Sequence, residues 1–244
     1  MRIALVSDIH ANGIALDAVL DDIANAGVDE IVCLGDVATL GPQPQQALET
    51  LAATSARCVA GNHDAYLLHP GLVENYTDEP LVIASVLWCR EQLDRDHLDI
   101  VAGFVPELEI DLGGGLTLLA VHGSPRSNTD DVLATTPPDE LERMLCDRTD
   151  TAHVIASGHT HIQMLRRHGE TLLVNPGSIG MPFAHHTGGG PPVFLRHAEY
   201  AILDAADGAV TVSLRRLPYD TAAVADAAAA SGLPMRDYLV AQFG

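Results

Sequence analysis

Five short apolar segments of this chain each run directly into residues that can bind metal ions or move protons. The apolar stretches have the length and composition of buried β-strands. Open α/β sheets gather their functional side chains at strand ends, so we expect these residues to meet at one edge of the fold. The five ligand-type segments are Asp8-Ile9-His10, Gly35-Asp36, Gly61-Asn62-His63-Asp64, His122-Gly123 and Gly158-His159-Thr160-His161.

The first quarter of the chain alternates strand and helix patterns. Apolar residues of the first helical segment recur at helical spacing, and Gly27 is placed to end it. This alternation favours parallel βαβ units of an α/β fold. The predicted strands are 2–7, 30–34 and 56–60, and the predicted helices between them are 14–26 and 44–53.

The pattern changes after Asp64. We predict a helical cap segment over about 65–107, clearest from Leu81 to Leu93. Two hairpins are expected at 108–121 and 200–214, around glycine-containing turns. Further strands are expected at 154–157 and 171–174, and a helical end from Thr221. No stretch has the composition of a linker, so we expect a single domain over 1–244.

Residues 184–198 are dense in glycine and proline, which predicts an irregular loop insertion. It begins shortly after Asn175-Pro176-Gly177-Ser178, a segment expected to form a tight turn near the ligand-type residues. His185 and His186 would then lie at the rim of the site. Contact with a substrate or metal and simple solvation both remain open for these two histidines.

The candidate ligands are carboxylates, imidazoles and one amide, without a thiolate. This set suits Mn, Fe or Zn ions better than a structural zinc site. The number of candidates is too large for one tetrahedral ion and fits two ions that share a carboxylate. Residues two apart on an extended chain point the same way, so we expect Asp8 and His10 to face one ion, and His159 and His161 likewise.

Each candidate also has a structural interpretation when taken alone. An aspartate after a strand commonly caps a helix, and a single histidine is commonly solvated or held in the core. The recurrence of five such segments, each after a strand, favours a metal site instead. Arg126 follows His122-Gly123-Ser124-Pro125 and could clamp a phosphate or form a surface salt bridge.

The charge of the chain limits its partners. Thirteen basic residues, all arginine, stand against 33 acidic ones, for a net charge of −20. Such a field repels nucleic acid backbones and anionic membrane surfaces, so we expect neither long nucleic acid nor a membrane as partner. Part of the acidity belongs to the candidate site, and the rest reflects genome composition or a salty cytoplasm. The first residues do not form a signal peptide, so we expect a cytoplasmic location.

The four cysteines, Cys33, Cys58, Cys89 and Cys146, are far apart and form no CxxC pair. Two of them fall in apolar runs that are typical of buried strands. Free buried thiols are therefore favoured over disulfides or metal ligands.

The order of these motifs resembles the calcineurin-like metallophosphoesterase superfamily: Asp-x-His, Gly-Asp, Gly-Asn-His-Asp, His and Gly-His-x-His. The segments 122–125 and 175–178 are similar to those of its small prokaryotic phosphodiesterase branch. The resemblance covers roughly residues 1–220. It implies a four-layer αββα sandwich, in which two mixed β-sheets are flanked by helices.

The resemblance also implies a dinuclear metal centre. His63 is similar to the family's catalytic histidine, Asp64 to the acid that orients it, and Asp36 to the carboxylate that bridges both ions. The ligands implied for the first ion are Asp8, His10 and His161. Those implied for the second ion are Asn62, His122 and His159.

These features predict a hydrolase of phosphodiester or phosphomonoester bonds in small nucleotides or phosphometabolites. Two divalent ions polarise a phosphoryl oxygen and lower the pKa of a bridging water, whose hydroxide attacks phosphorus. His63 would stabilise the developing charge or protonate the leaving oxygen. The alternative is a non-catalytic scaffold, because the superfamily includes a trafficking subunit that lacks the catalytic histidine. The native metals and the oligomeric state stay open.

Overall fold

The computed structural model describes residues 1–188 and 190–244, so Gly189 of the predicted loop 184–198 lies outside the described residues. In chain order the strands are β1 (Arg2–Val6), β2 (Glu30–Cys33), β3 (Arg57–Cys58), β4 (Leu108–Gly113), β5 (Leu116–Ala120), β6 (Val154–Ala156), β7 (Met164–His168), β8 (Thr171–Asn175), β9 (Ala198–Ala206) and β10 (Ala209–Leu217).

The helices are α1 (Gly13–Ala26), α2 (Pro44–Ala53), α3 (Asn62–Leu68), α4 (Val73–Tyr76), α5 (Pro80–Gln92), α6 (Arg95–Ala102), α7 (Pro138–Leu145), α8 (Thr221–Ala230) and α9 (Arg236–Phe243). Short 3₁₀ turns cover Pro70–Leu72 and Arg148–Asp150. Asn12 caps α1 through its side chain, and Gly27, in the left-handed conformation, ends it as predicted.

The strands form two mixed five-stranded sheets, in the orders β10-β9-β1-β2-β3 and β4-β5-β6-β8-β7. In the first sheet β1, β2 and β3 are parallel, and β9 and β10 are antiparallel additions. In the second sheet β5, β6 and β8 are parallel, with β4 and β7 antiparallel at the edges. The parallel strands of each sheet therefore end at a common edge.

Alternation along β1 explains how the layers pack. Ile3 and Leu5 join a buried cluster with Leu118 and Val154 of the second sheet. Ala4 and Val6 point to the other face and pack with residues of α1 and α2. Leu119 and Ile155 of the second sheet pack outward against residues of α7. The order helix, sheet, sheet, helix confirms the predicted αββα sandwich.

Several predicted bounds shift for identifiable reasons. Strand β3 is shorter than predicted: Val59 N still donates to Cys33 O of β2 at 2.8 Å, but Ala60 N donates to Val105 O instead. Strand β7 was not predicted, because its Arg166, Arg167 and His168 give an edge strand little apolar signal. Helix α7 was also not predicted, although its acidic first turn after proline is typical of a helix start.

The segment over 65–107 is largely helical, as predicted, and comprises most of α3 together with α4, α5 and α6. Its role as a cap, and the single-domain boundary, stay predictions. The four cysteines are free. Cys33 and Cys89 are buried as predicted, but Cys58 is half-buried and Cys146 is exposed. Within the described ranges, no helix is both long and apolar enough to cross a membrane.

Candidate metal centre

The five predicted segments meet where the parallel strands of both sheets end. Backbone hydrogen bonds join the segment after β1 to the segment after β2, from Asp8 N to Gly35 O at 3.0 Å and from His10 N to Asp36 O at 3.0 Å. The second sheet is joined in the same way, since Gly158 N donates to His122 O at 2.6 Å. The expectation that these residues gather at one edge is therefore confirmed.

The first cluster contains Asp8, His10 and His161, all buried. Nε2 of His161 lies 3.0 Å from Nε2 of His10 and 3.3 Å from Oδ1 of Asp8. Oδ1 of Asp8 is buried and makes no hydrogen bond to the described residues. Three potential ligand atoms thus converge on one point, which is the arrangement that a cation would satisfy.

The second cluster contains Asp36, His122 and His159. Oδ1 of Asn62 joins it, 3.0 Å from Nε2 of His122. The Asn62 amide is oriented by its Nδ2, which donates to the hydroxyl of Tyr66 at 3.1 Å, one turn later on α3. The two clusters have the memberships that the resemblance implied, while the roles of their residues as metal ligands remain a proposal.

Asp36 lies between the clusters. Its Oδ1 accepts a hydrogen bond from His63 N at 2.8 Å. Its Oδ2 lies 3.3 Å from Nε2 of His122 in the second cluster and 3.9 Å from Nε2 of His10 in the first. One carboxylate oxygen therefore faces ligands of both clusters.

The backbone of the site is not extended, and this corrects one expectation. Asp8, His10, Asp36, His159 and His161 all have positive φ, between 47° and 63°. Such conformations are uncommon for residues other than glycine and collect at functional sites. The left-handed turns direct His159 and His161 into different clusters. The prediction that these two face one ion was therefore wrong, although Asp8 and His10 do share a cluster.

Hydrogen bonds at Nδ1 determine which imidazole nitrogens are free. Nδ1 of His122 donates to Leu34 O at 2.6 Å, and Nδ1 of His161 donates to Met181 O at 2.7 Å. Each ring therefore keeps its Nε2 lone pair for the cluster when neutral. Histidines that bind metals are commonly held in this way. This donor set fits divalent metal ions.

Burial and neighbouring charges set the protonation of the site. Burial opposes ionisation of Asp8, but His161 outweighs it and lowers the pKa of Asp8 to about 2. Burial also lowers the pKa of His10 to about 3, and burial together with His122 lowers that of His159 to about 4. Burial opposes protonation of His122 and His161, but Asp36 and Asp8 outweigh it and raise their pKa values, that of His122 to about 10. Since metal ions bind ionised carboxylates and neutral imidazoles, an ion would displace a proton from each of these two rings.

His63 lies beside both clusters at the start of α3. Its ring contacts the ring of His10 edge-on, with centroids 5.2 Å apart, and the ring of Tyr66 at 5.1 Å. Nδ1 of His63 is buried without a hydrogen-bond partner among the described residues. Burial lowers the pKa of His63, so the ring is predominantly neutral at pH 7.

The structure gives Asp64 a different role from the predicted one. Its Oδ2 accepts hydrogen bonds from Asp36 N at 2.7 Å and Gly61 N at 2.9 Å, and its Oδ1 accepts from Val37 N at 3.0 Å. These bonds occupy the carboxylate, which does not bond to the His63 ring. Asp64 therefore holds the backbone that carries Asp36, and the prediction that it orients His63 was wrong.

The segment 175–178 forms a tight turn that supports β1, as predicted. Ser178 Oγ donates to Asp8 O at 2.7 Å, and Asn175 Nδ2 donates to Gly158 O at 2.7 Å. Close packing also explains the glycine of the Gly-Asn motif. A Cβ on Gly61 would lie 2.0 Å from Oδ1 of Asp36.

Several residues around the site were missed from the sequence or left open. Thr39 Oγ1 lies 3.3 Å from Nδ1 of His10, and the ring of Tyr76 lies 6.2 Å from that of His159. His186 of the loop lies 3.2 Å from Oδ2 of Asp131, whose Oδ1 is 3.7 Å from Nε2 of His159. Only Tyr66 carried a signal, because it is one helical turn after Asn62.

Arg126 forms a two-point salt bridge with Asp130, at 2.9 and 2.6 Å. Of the two interpretations left open for Arg126, the structure therefore supports the salt bridge. His185 is exposed.

A helix-flanked pair of mixed sheets, with two His/Asp clusters at their strand ends, defines a class of α/β metallohydrolases. Comparison with known proteins agrees with this. The family model for the calcineurin-like phosphoesterase superfamily domain matches residues 1–207. The chain therefore belongs to the calcineurin-like phosphoesterase superfamily, and its enzyme class is the hydrolysis of phosphoric esters.

Similar proteins span most of the chain. A metallophosphoesterase structure from Sphaerobacter thermophilus has a TM-score of 0.76 and 27% identity, covering 100% of this chain and 98% of that one. An uncharacterized protein of Methanocaldococcus jannaschii is 27% identical, over 89% of this chain and 88% of its own. The phosphodiesterase YfcE of Escherichia coli is 25% identical, over 84% and 88%. These agree with the small prokaryotic branch that the sequence resembled.

Proposed function

We propose that this chain hydrolyses phosphodiester or phosphomonoester bonds of small nucleotides or phosphometabolites at a dinuclear metal centre. The observation that carries the proposal is the position of Asp36, whose Oδ2 lies 3.3 Å from Nε2 of His122 and 3.9 Å from Nε2 of His10. A carboxylate oxygen between two ligand clusters supports ligation shared by two ions. The name of the similar E. coli phosphodiesterase supports the ester class.

Each cluster would hold one ion. Mn, Fe and Zn ions all suit a set of imidazole, carboxylate and amide donors. When bound, such ions polarise the phosphoryl oxygen and provide a nucleophilic water at neutral pH. The ligands of the first ion would be Asp8, His10 and His161, and those of the second would be Asn62, His122 and His159. Asp36 would be shared by both ions.

The protein supplies the remaining chemistry through His63. Its ring nitrogen Nδ1 has no partner among the described residues, and its ring contacts that of His10 in the first cluster. A neutral imidazole beside a polarised phosphoryl group can donate a hydrogen bond to the developing negative charge or to the leaving oxygen. The presence of this histidine favours an enzyme over the alternative of a non-catalytic scaffold.

The charge of the chain supports a small substrate. With a net charge of −20 and without lysine, the molecule repels long polyanions. A small phosphate ester meets less of this field and can be held mainly by the ions of the site. We therefore propose small nucleotides or phosphometabolites as substrates and no nucleic acid or membrane partner.

A turnover assay tests the proposal. The purified chain would be stripped with a chelator, reloaded with Mn²⁺ and offered bis-p-nitrophenyl phosphate and p-nitrophenyl phosphate. We expect hydrolysis of at least one ester that disappears without metal and returns on reloading. If the reloaded protein, with its metal content measured, hydrolyses neither these esters nor a panel of small nucleotides, the scaffold alternative is the correct one.

A further inference from the structure

The carboxylate of Asp131 stands at the mouth of the candidate site. Its Oδ1 lies 3.7 Å from Nε2 of His159, a member of the second cluster. The side chain is about half exposed, at 48%, whereas that of His159 is 7% exposed. Asp131 therefore lies between solvent and His159 of the second cluster.

The position of Asp131 is fixed from both sides. The preceding Asp130 accepts hydrogen bonds from Ser124 Oγ and Arg126, and the following Val132 is buried. From the opposite side, Nε2 of His186 lies 3.2 Å from Oδ2 of Asp131. The loop 184–198 thus contacts the segment after β5 through this pair, next to His159.

In the part of the chain that the structure describes, no arginine pairs with Asp131, whose ion-pair partners are His159 and His186. The chain has no lysine, and Arg126, the basic residue nearest in sequence to Asp131, is paired with Asp130. Among the described residues, no arginine forms a hydrogen bond or salt bridge with a member of either cluster. The protein's own basic groups at the clusters are therefore histidines, and the rim carries a carboxylate.

Phosphomonoesters and phosphodiesters differ in charge. At pH 8 a phosphomonoester carries close to two negative charges, because its second pKa is about 6, whereas a phosphodiester carries one. At the same distance a fixed carboxylate repels a dianion about twice as strongly as a monoanion, and solvent around the half-exposed side chain screens this only in part.

We propose that Asp131, held by His186, is a specificity-determining residue that disfavours dianionic phosphomonoesters relative to monoanionic phosphodiesters. The proposal rests on the phosphoesterase function proposed above and names the substrate class within it. The side chain acts on the charge of the bound phosphoryl group and takes no part in bond cleavage.

Two esters that differ in one charge test this. p-Nitrophenyl phosphate and p-nitrophenyl methylphosphonate share a leaving group and nearly a shape, but the phosphonate carries one negative charge. In Asp131→Asn, which removes the charge and keeps the side-chain size, we expect the ratio of kcat/KM for the phosphonate to that for the phosphate to fall about three- to tenfold.

The matched control is Asp207→Asn. Asp207 is an exposed aspartate in the β9–β10 turn, and β9 pairs with β1 so that this turn lies near Arg2, at the end of the sheet opposite Asp8. Asp207→Asn changes the net charge by the same amount as Asp131→Asn, and the ratio of the two kcat/KM values should stay at the wild-type value.

A binding measurement gives a readout that needs no turnover. In calorimetric titrations at pH 8, Asp131→Asn should bind inorganic phosphate, a dianion, about three- to tenfold more tightly relative to dimethyl phosphate, a monoanion. Added salt should reduce the difference between the wild type and Asp131→Asn in this ratio of affinities, since salt screens an exposed charge.

The outcomes separate the two proposals. A metal-loaded wild type that hydrolyses no ester contradicts the proposed function. A wild type that hydrolyses both esters, with the same ratio in Asp131→Asn, overturns the role of Asp131 alone. Loss of bound metal in Asp131→Asn would also overturn it, because Asp131 would then be a ligand.

Discussion

Nε2 of His10 lies 3.0 Å from Nε2 of His161 in the buried first cluster. The opposite nitrogen of His161, Nδ1, donates to Met181 O, so two imidazole nitrogens face each other while a carboxylate oxygen of Asp8 lies 3.3 Å away. A cation bound at this point would displace the His161 proton and take a lone pair from each ring. Filling the cluster is therefore expected to stabilise the folded chain.

Metal binding should raise the thermal stability of the protein. An ion that binds only the folded chain contributes about 2.7 kcal/mol when its concentration is 100 times Kd. We expect Tm to rise by several degrees on adding Mn²⁺ to chelator-treated protein, and to fall again with chelator. Calorimetry or circular dichroism measures this, and His161→Ala should show a smaller rise. Equal Tm values with and without metal would contradict the assignment of the clusters.

Gly61→Ala should weaken the site from within the backbone. A Cβ there would lie 2.0 Å from Oδ1 of Asp36 and would displace the carboxylate. We expect weaker metal binding together with a loss of unfolding free energy of about 1–3 kcal/mol. The matched control is Gly71→Ala, where a Cβ meets no atom within 4 Å. Equal metal affinity in the two variants would show that the contact can relax without consequence.

His63→Ala separates chemistry from metal binding. His63 lies beside both clusters but belongs to neither, so the variant should keep its metals. Turnover should fall by about two to four orders of magnitude, the usual contribution of an acid–base group. The loss should be smaller for aryl esters with good leaving groups, which need less protonation. An unchanged rate on a poor leaving group would remove His63 from the mechanism.

The stability of the protein should depend on pH through His97. Burial opposes protonation of this ring, but hydrogen bonds to Glu49 and Asp94 outweigh burial and raise its pKa. The charged ring therefore stabilises the fold fully below pH 6.5, the ordinary pKa, and this contribution is lost as pH rises through the raised value. Urea unfolding at pH 6 and pH 9 should show a decrease that is smaller in His97→Gln. An equal decrease in both proteins would assign it to other groups.

Much of the fold follows from local patterns in the sequence. The apolar alternation of β1, the helical spacing of α1 and the glycine after it each act within a few residues, so they could be predicted. Edge strand β7 could not, because its more buried side carries Arg166 and His168 while Leu165 is exposed, so it has no apolar period. Its pairing with β8 is decided by tertiary contacts.

The candidate site was likewise predictable in part. Residue types and strand ends predicted which side chains meet, because parallel strands bring their carboxyl ends together. The left-handed turns at Asp8, His10 and His161 could not be predicted, because the spacing of residues in the sequence does not show which of them adopt positive φ. Asp64 illustrates the same limit, because its three backbone partners come from two different segments.

The most direct test of the account is the number of metal ions that each variant binds. The account predicts two equivalents for the wild type by elemental analysis, and two for Asp207→Asn. His161→Ala and His122→Ala should each retain about one, because each removes a ligand of one cluster. Asp36→Ala should lose both ions and all turnover, since its Oδ2 faces both clusters. Two equivalents of metal bound to a folded Asp36→Ala protein would contradict the shared centre.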